Sequence, residues 1–162
     1  MVLDPWYVVG LVEGEGCFCI TISKHKTKKL RFDARLMFEI EMIIDDEPLL
    51  QKVKDHFSSG QIFILNYRRY SWRPHVKYAV KSYQDICQNV IPFFEQYPLQ
   101  GKKAKDFQLF CQAADLFKTK QHLTQEGLDR LRSIQSQMNL IRKLKLASAR
   151  VRENRAPGRE RR

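Results

Sequence analysis

The stretch DPWYVVGLVEGEG, residues 4–16, sets two carboxylates, Glu13 and Glu15, among glycines in an otherwise basic chain. Asp4 is a good N-cap and Pro5 suits a first helical turn. The apolar run from Trp6 to Val12 continues the helix, and Gly14 and Gly16 end it. Both glutamates then fall at the negative end of the helix dipole, where a carboxylate is disfavoured. A cation is expected to offset them. A carboxylate is also a ligand for Mg²⁺, which takes oxygen donors, is held by one or two carboxylates and keeps waters for a substrate. Aimed at a polyanion, such a site can polarise a phosphate and supply a nucleophile.

The charge distribution points to the polyanion. The chain has 162 residues, a net charge of +11 and a hydrophobic fraction of 43%, within the range of one domain with a real core. Residues 140–162 hold nine Lys/Arg against two Glu, 24–35 hold six against one Asp, and 66–81 hold five and no acid. The remainder is net acidic. Segregation of this kind is the electrostatic footprint of a nucleic-acid binder. No apolar run reaches bilayer length and no basic leader precedes the first apolar segment, so no membrane partner is expected. Cys17, Cys19, Cys87 and Cys111 lack zinc-finger spacing and read as reduced thiols inside a cell, in the cytoplasm or in an organelle such as a chloroplast or mitochondrion.

Several elements must position these residues. CFCITISKHK and RFDARLMFEIEM alternate around a basic loop and predict a hairpin. Its dry face holds Phe18, Ile20, Ile22, Phe32, Leu36, Phe38, Ile40 and Met42, and its polar face holds the intervening residues. DDEPLLQKVKDHF predicts a helix capped by Asp45 or Asp46 and closed by SSG. QIFILNYRRY and HVKYAVK predict a second hairpin, and SYQDICQNVIPFFEQY a helix bent before Pro92. In KKAKDFQLFCQAADLF a stripe runs through Ala104, Phe107, Phe110, Cys111, Ala114 and Phe117. A last helix starts at a Thr124 cap, with Leu128, Leu131, Ile134, Met138 and Ile141 on one side. The expected fold is α+β: an αββαββα core with a four-stranded antiparallel sheet, helices on one face, and further C-terminal helices. Residues 1–146 form the domain and 147–162 a basic arm.

VVGLVEGEG, Val8 to Gly16, resembles the nine-residue motif of the LAGLIDADG homing endonucleases. The element order, the DDEPLL helix start, PLQGKKAKDF and HLTQEGLDRLRSIQSQMN are also similar to that family, over about residues 4 to 145. The motif's aspartates are Glu13 and Glu15 here, and its Leu-Ala is Val8-Val9. The motif occurs once, and single-motif members act as homodimers, so the resemblance implies a symmetric dimer. Residue physics agrees. Gly10 in mid-helix costs about 1 kcal/mol relative to Ala, and a Gly10-xxx-Gly14 ridge flanked by Tyr7, Leu11 and Glu13 lets two helices approach closely about a two-fold axis. The alternative reading is that Gly10 accommodates a nearby core side chain.

The resemblance implies that Glu15 is the metal ligand and catalytic acid, completed by the Gly14 carbonyl, with Mg²⁺ as cofactor and Mn²⁺ as a substitute. Glu13 is implied to be structural, at the helix packing. A basic residue from LQGKKAK is implied near the site. Register does not separate Lys102 from Lys103, and Lys102 is preferred. The polar residue usual at the end of the second strand is Met42 here, with Glu41 beside it, so no residue is assigned to water positioning.

An antiparallel ribbon fits a DNA major groove. Base-reading candidates are Thr21, Ser23, Arg31, Asp33, Arg35 and Glu39 on the first hairpin, with His25 also readable as an ordinary loop-edge histidine. Gln61, Tyr67, Arg69, Lys77 and Lys81 are candidates on the second. Lys24, Lys26, Lys28, Lys29, Arg68 and Arg73 suit phosphates. The expected activity is that of a homodimeric, Mg²⁺-dependent, site-specific endonuclease cutting double-stranded DNA at a long pseudo-palindrome. The alternative is a non-cleaving binder, such as a maturase-like partner of intron RNA.

Overall fold

The computed structural model describes residues 3–66 and 73–138. Helix α1 (Pro5–Glu15) begins where expected: an Asp4 carboxylate oxygen accepts from the Trp6 and Tyr7 N–H groups at 2.9 and 3.2 Å. Strands β1 (Gly16–Lys24) and β2 (Phe32–Ile43) pair antiparallel, from Gly16 opposite Ile40 to Lys24 opposite Phe32. A 3₁₀ turn, Ile44–Asp46, runs into α2 (Glu47–Phe57). Asp46 stands at the N-cap of α2, but its side chain makes no capping hydrogen bond. The turn satisfies the Glu47 N–H from the Ile44 carbonyl, and the Asp45 carboxylate meets Arg73 at 2.6 Å.

The second hairpin is β3 (Gln61–Leu65) with β4 (His75–Val80). Strand β4 rather than β3 pairs with β2, giving the order β1-β2-β4-β3. The bent helix α3 consists of Tyr83–Asp85, a π turn Ile86–Val90, and Ile91–Gln96. The wider turn lies just before Pro92, whose missing N–H and ring disrupt regular helical bonding. Helices α4 (Lys103–Lys118) and α5 (Gln125–Gln137) follow. The expected α+β architecture is therefore present among the described residues.

The alternation along the strands sends one row inward. Phe18, Phe38, Ile40, Val76, Tyr78 and Val80 are buried beneath the helices. Phe18 packs against the rings of Phe38, Phe94, Phe107 and Phe110, with centroids 5.2–5.4 Å apart. Burying such a ring contributes about 2–3 kcal/mol. This core holds the sheet rigid, so the opposite face can carry charge. The stripe on α4 is wider than the sequence predicts: Leu109, Ala113 and Leu116 are also buried. This helix packs against both β1 and α5, so two of its sides are covered.

Helix α5 is capped as expected, the Gly127 N–H donating to Thr124 Oγ1 at 3.1 Å. It ends at Gln137, short of the predicted length, with Met138 extended and buried. Ile141 and the arm 147–162 lie outside the described residues. At Gly127 the preceding turn passes so close that a Cβ would stand 1.9 Å from the Gln121 carbonyl oxygen. Gly127→Ala is therefore expected to destabilise the fold by about 2–3 kcal/mol, at the upper end of overpacking costs. Thermal unfolding would register this as a lowered Tm, and an unchanged Tm would refute it.

Candidate functional site

The end of α1 is held from the other side of the core. Lys103, in the first turn of α4, donates its ammonium to the carbonyls of Val12, Glu13 and Gly14 at 2.9, 3.0 and 3.1 Å. This is the cation required by the two glutamates: it neutralises the helix terminus and bonds the Glu13 and Gly14 carbonyls, while the Val12 carbonyl also accepts from the Gly16 N–H. Burial pushes the Lys103 pKa down, while the neighbouring Cys17 and Glu13 favour its charged form. Lys102, the sequence preference, is exposed at the N-terminus of α4. One residue of helical rotation separates the two lysines, which is why their spacing in sequence could not distinguish them.

Glu13 and Glu15 have different surroundings. A Glu13 carboxylate oxygen accepts from the backbone N–H groups of Gln100 and Gly101, both at 2.7 Å. A Cβ on Gly101 would lie 2.7 Å from that carboxylate, so the close approach depends on glycine. Glu13 thus ties α1 to the loop before α4. Glu15 is exposed, and among the described residues no hydrogen bond or ion pair engages its carboxylate. It lines an open cleft of about 520 Å³ with Cys17, Glu39, Glu41, Met42, Ile43, Asp46 and His75. Exposed carboxylate oxygens of this kind suit a hard divalent cation. The Gly14 carbonyl already accepts from Lys103, with one lone pair left for a further ligand.

Glu41, Asp46 and His75 were not singled out as site residues by the sequence. Glu41 alternates in phase with Glu39, which was a usable signal, whereas Asp46 reads as a helix cap and His75 as a strand end. Lys77 bridges Glu39 at 3.2 Å and Glu41 at 3.0 Å, and His75 Nδ1 lies 3.3 Å from Glu41. Burial works against the Lys77 charge, but its hydrogen bond to Glu41 and the proximity of Glu39 hold its pKa above the ordinary value. Met42 lies on the opposite face of β2 to Glu41 and packs against the core.

The polar sheet face carries most of the predicted contact residues. Thr21, Ser23 and Arg35 are exposed there, Thr21 directly opposite Arg35. Ser23 faces Asp33, but Asp33 is only 4% exposed, covered by Lys28 and by Arg35 at 2.6 Å. The hydrogen bond from Lys28 holds the Asp33 carboxyl below the usual range, against the opposing effect of burial and with help from Arg35. Arg31 precedes β2 rather than belonging to it. Its φ of 59° places it in the left-handed region, and its guanidinium bonds the Lys26 carbonyl. Lys24, Lys26 and Lys29 are exposed around this hairpin tip. On the second hairpin, Gln61 and Lys81 are exposed, with the Lys81 ammonium 4.2 Å from the centre of the Phe63 ring. Tyr67, Arg68 and Arg69 lie outside the described residues.

The outer surface of α1 is bare. Trp6 and Tyr7 are 54% and 50% exposed, and a Cβ built at Gly10 or Gly14 meets nothing within 4 Å among the described residues. Among the described residues, Gly10 therefore makes no room for a core side chain. Leu11 is half-buried and packs against the core edge.

An antiparallel saddle, a charged outer face and an acidic helix terminus together define an α+β protein of the αββαββα class. The sequence profile described as LAGLIDADG endonuclease matches residues 8–114, and the chain belongs to that family. It is 36% identical over 139 residues to the probable intron-encoded endonuclease 3 of Neurospora crassa, covering 85% of this chain and 25% of the relative. It is 35% identical over 125 residues to an uncharacterized 50.9 kDa protein in ND4 intron 1 of Podospora anserina, covering 75% and 26%. The chain thus spans about a quarter of the length of these curated relatives. Among solved structures, the meganuclease I-SmaMI bound to uncleaveable DNA superposes with a TM-score of 0.78 at 33% identity, over 84% of this chain and 45% of that one. The homing endonuclease I-TnaI gives a TM-score of 0.78 at 30% identity, over 86% and 90%. No helix among the described residues is long and apolar enough to cross a membrane.

Proposed function

We propose that the chain is a site-specific DNA endonuclease that works as a symmetric pair and requires a divalent cation, Mg²⁺ or in substitution Mn²⁺. The observation that carries the reading is the unengaged Glu15 carboxylate at the end of α1, beside a sheet face rich in Lys and Arg. Glu15 and the Gly14 carbonyl would hold the cation, which supplies Lewis-acid polarisation of a phosphate and an activated water. Lys103 keeps the helix terminus in place and brings positive charge towards the scissile phosphate. Glu13 fixes the angle between α1 and the loop before α4. Thr21, Ser23, Arg35, Gln61, Lys77 and Lys81 face the major groove, while the lysines of the first hairpin tip and Arg73 serve the phosphates. Pairing through α1 would set two Glu15 carboxylates near one axis, one for each strand. The target would be a long pseudo-palindrome spanning roughly two helical turns. Such a protein would act inside a cell, alongside intron-bearing DNA.

The test is incubation with a randomised, partly palindromic DNA library in Mg²⁺ and, in parallel, in Ca²⁺. Discrete Mg²⁺-dependent cuts at a symmetric motif are expected. Bound but uncut DNA under both metals would replace this reading with that of a nucleic-acid binder, intron RNA being the next substrate.

Lysine substitutions separate the two candidates in LQGKKAK. Lys103→Met is expected to lower cleavage about 100-fold, on the scale of one lost electrostatic stabiliser, and stability by about 1 kcal/mol through the uncapped carbonyls. Lys102→Met should leave both within about threefold and ~0.5 kcal/mol, as for exposed surface changes. The reverse order of effects would return the assignment to Lys102.

A further inference from the structure

Cys17 and Cys19 are adjacent on one face of β1, and the Cys17 and Cys19 sulfurs lie 3.1 Å apart. Glu39, directly opposite Cys17 in the β1–β2 register, brings a carboxylate oxygen to 3.9 Å from Cys19 Sγ. All three ligand atoms fall within 4.8 Å of one another, and all three residues are half-buried. We propose that Cys17, Cys19 and Glu39 form a binding site for a thiophilic divalent cation of the zinc class, at the cleft that Glu15 also lines but with a softer donor set.

The geometry fits. With metal–sulfur bonds of about 2.3 Å, a tetrahedral centre sets two sulfurs about 3.8 Å apart, and a carboxylate oxygen at about 2 Å from the metal falls about 3.5 Å from each sulfur. The Cys17–Cys19 pair at 3.1 Å and the Cys19–Glu39 pair at 3.9 Å stand close to those separations, and the Cys17–Glu39 pair lies within 4.8 Å, so rotamer motion on a rigid sheet suffices to bring the three together. The donor set is two soft sulfurs and one oxygen, with the cleft open for a water as fourth ligand. Mg²⁺ avoids thiolates and zinc-class ions favour them. Each Cys sulfur passes its proton to solvent as the metal–sulfur bond forms. The resulting negative charge has a cation beside it, Lys77, 3.2 Å from the Glu39 carboxylate. Lys77 also orients Glu39, the kind of outer support that metal ligands take.

Two ligands two residues apart in a strand do not spell a metal motif, because such motifs are recognised by sequence spacing. Here the third ligand comes from the neighbouring strand, 20 residues away in sequence, and only strand pairing delivers it.

Titration of the reduced full chain with Co²⁺ tests the site without reference to cleavage. A thiolate-to-cobalt charge-transfer band saturating at one ion per chain is expected, and it should be displaced by Zn²⁺ but not by Mg²⁺. The Cys17→Ser/Cys19→Ser protein should lose the band, whereas Cys87→Ser/Cys111→Ser should keep it. Glu39→Gln, which leaves both sulfurs in place, should weaken Zn²⁺ binding at least 10-fold in competition with a chromophoric chelator. An absent band in the wild type, a band that survives loss of Cys17 and Cys19, or one lost with Cys87 and Cys111 would each overturn the site. Circular dichroism of each variant confirms that the comparison is between folded proteins.

Discussion

Glu15→Gln is expected to lower DNA cleavage by at least about 10³-fold while leaving DNA affinity in Ca²⁺ or chelator within a fewfold of the wild type. The magnitude follows from losing the several kcal/mol that a correctly held cation contributes to a phosphoryl transition state. Glutamine keeps the shape of the side chain and removes its charge. Glu15 is exposed and lies at the negative end of α1, so the fold should not suffer. Removing a carboxylate from a helix C-terminus instead relieves an unfavourable dipole interaction of about 0.3–1 kcal/mol. The expected signature is therefore a dead nuclease with an unchanged or slightly raised Tm. Cleavage within tenfold of the wild type, measured on the selected target, would remove Glu15 from the mechanism. The matching change Glu13→Gln has a different expectation, because that carboxylate accepts two backbone N–H groups rather than facing the cleft.

The second large effect concerns assembly. Gly10→Leu is expected to weaken self-association on the order of 100-fold or more while the single chain remains at least as stable. Among the described residues nothing lies within 4 Å of a Cβ at Gly10, so the larger residue meets no obstacle from them. It also recovers up to about 1 kcal/mol of helix propensity lost to glycine. At a two-fold interface the added side chain enters twice, and overpacking of about 1–3 kcal/mol at each position gives the stated loss. Analytical ultracentrifugation would read the dimer constant, and denaturant unfolding the stability of the chain. An undiminished dimer constant would show that α1 is not the contact. Gly16→Ala is the internal contrast. A Cβ there would stand 2.6 Å from the Val12 side chain and 2.9 Å from its carbonyl oxygen, so that change should damage the fold itself.

Much of this protein is determined locally. The Asp4 cap and Thr124 cap, the dry and polar faces of the first hairpin and the bend before Pro92 are all readable from residue type and period. Each depends on interactions within a few residues or on the alternation imposed by a strand. The acidic helix end was legible for the same reason: Gly14 and Gly16 stop α1 where Glu13 and Glu15 stand. The charge windows were legible because net charge is a sum and needs no coordinates.

What the sequence left open concerns contacts between residues far apart in the chain. Lys102 and Lys103 have the same chemistry, and only the packing of α4 against α1 directs the second onto the helix carbonyls. Asp33 occupies an outward strand position, yet Lys28 and Arg35 fold over it and bury it. Strand order depends on which edge of the second hairpin gains more by joining β2, a competition between packing arrangements that no local pattern records. The same pairing sets Glu39 against Cys17. Sequence by itself determined the elements, their faces and the acid that ends the first helix. Tertiary structure decided which side chains meet there, because complementary charges and ligand atoms interact through space over a few ångströms, whatever their separation along the chain.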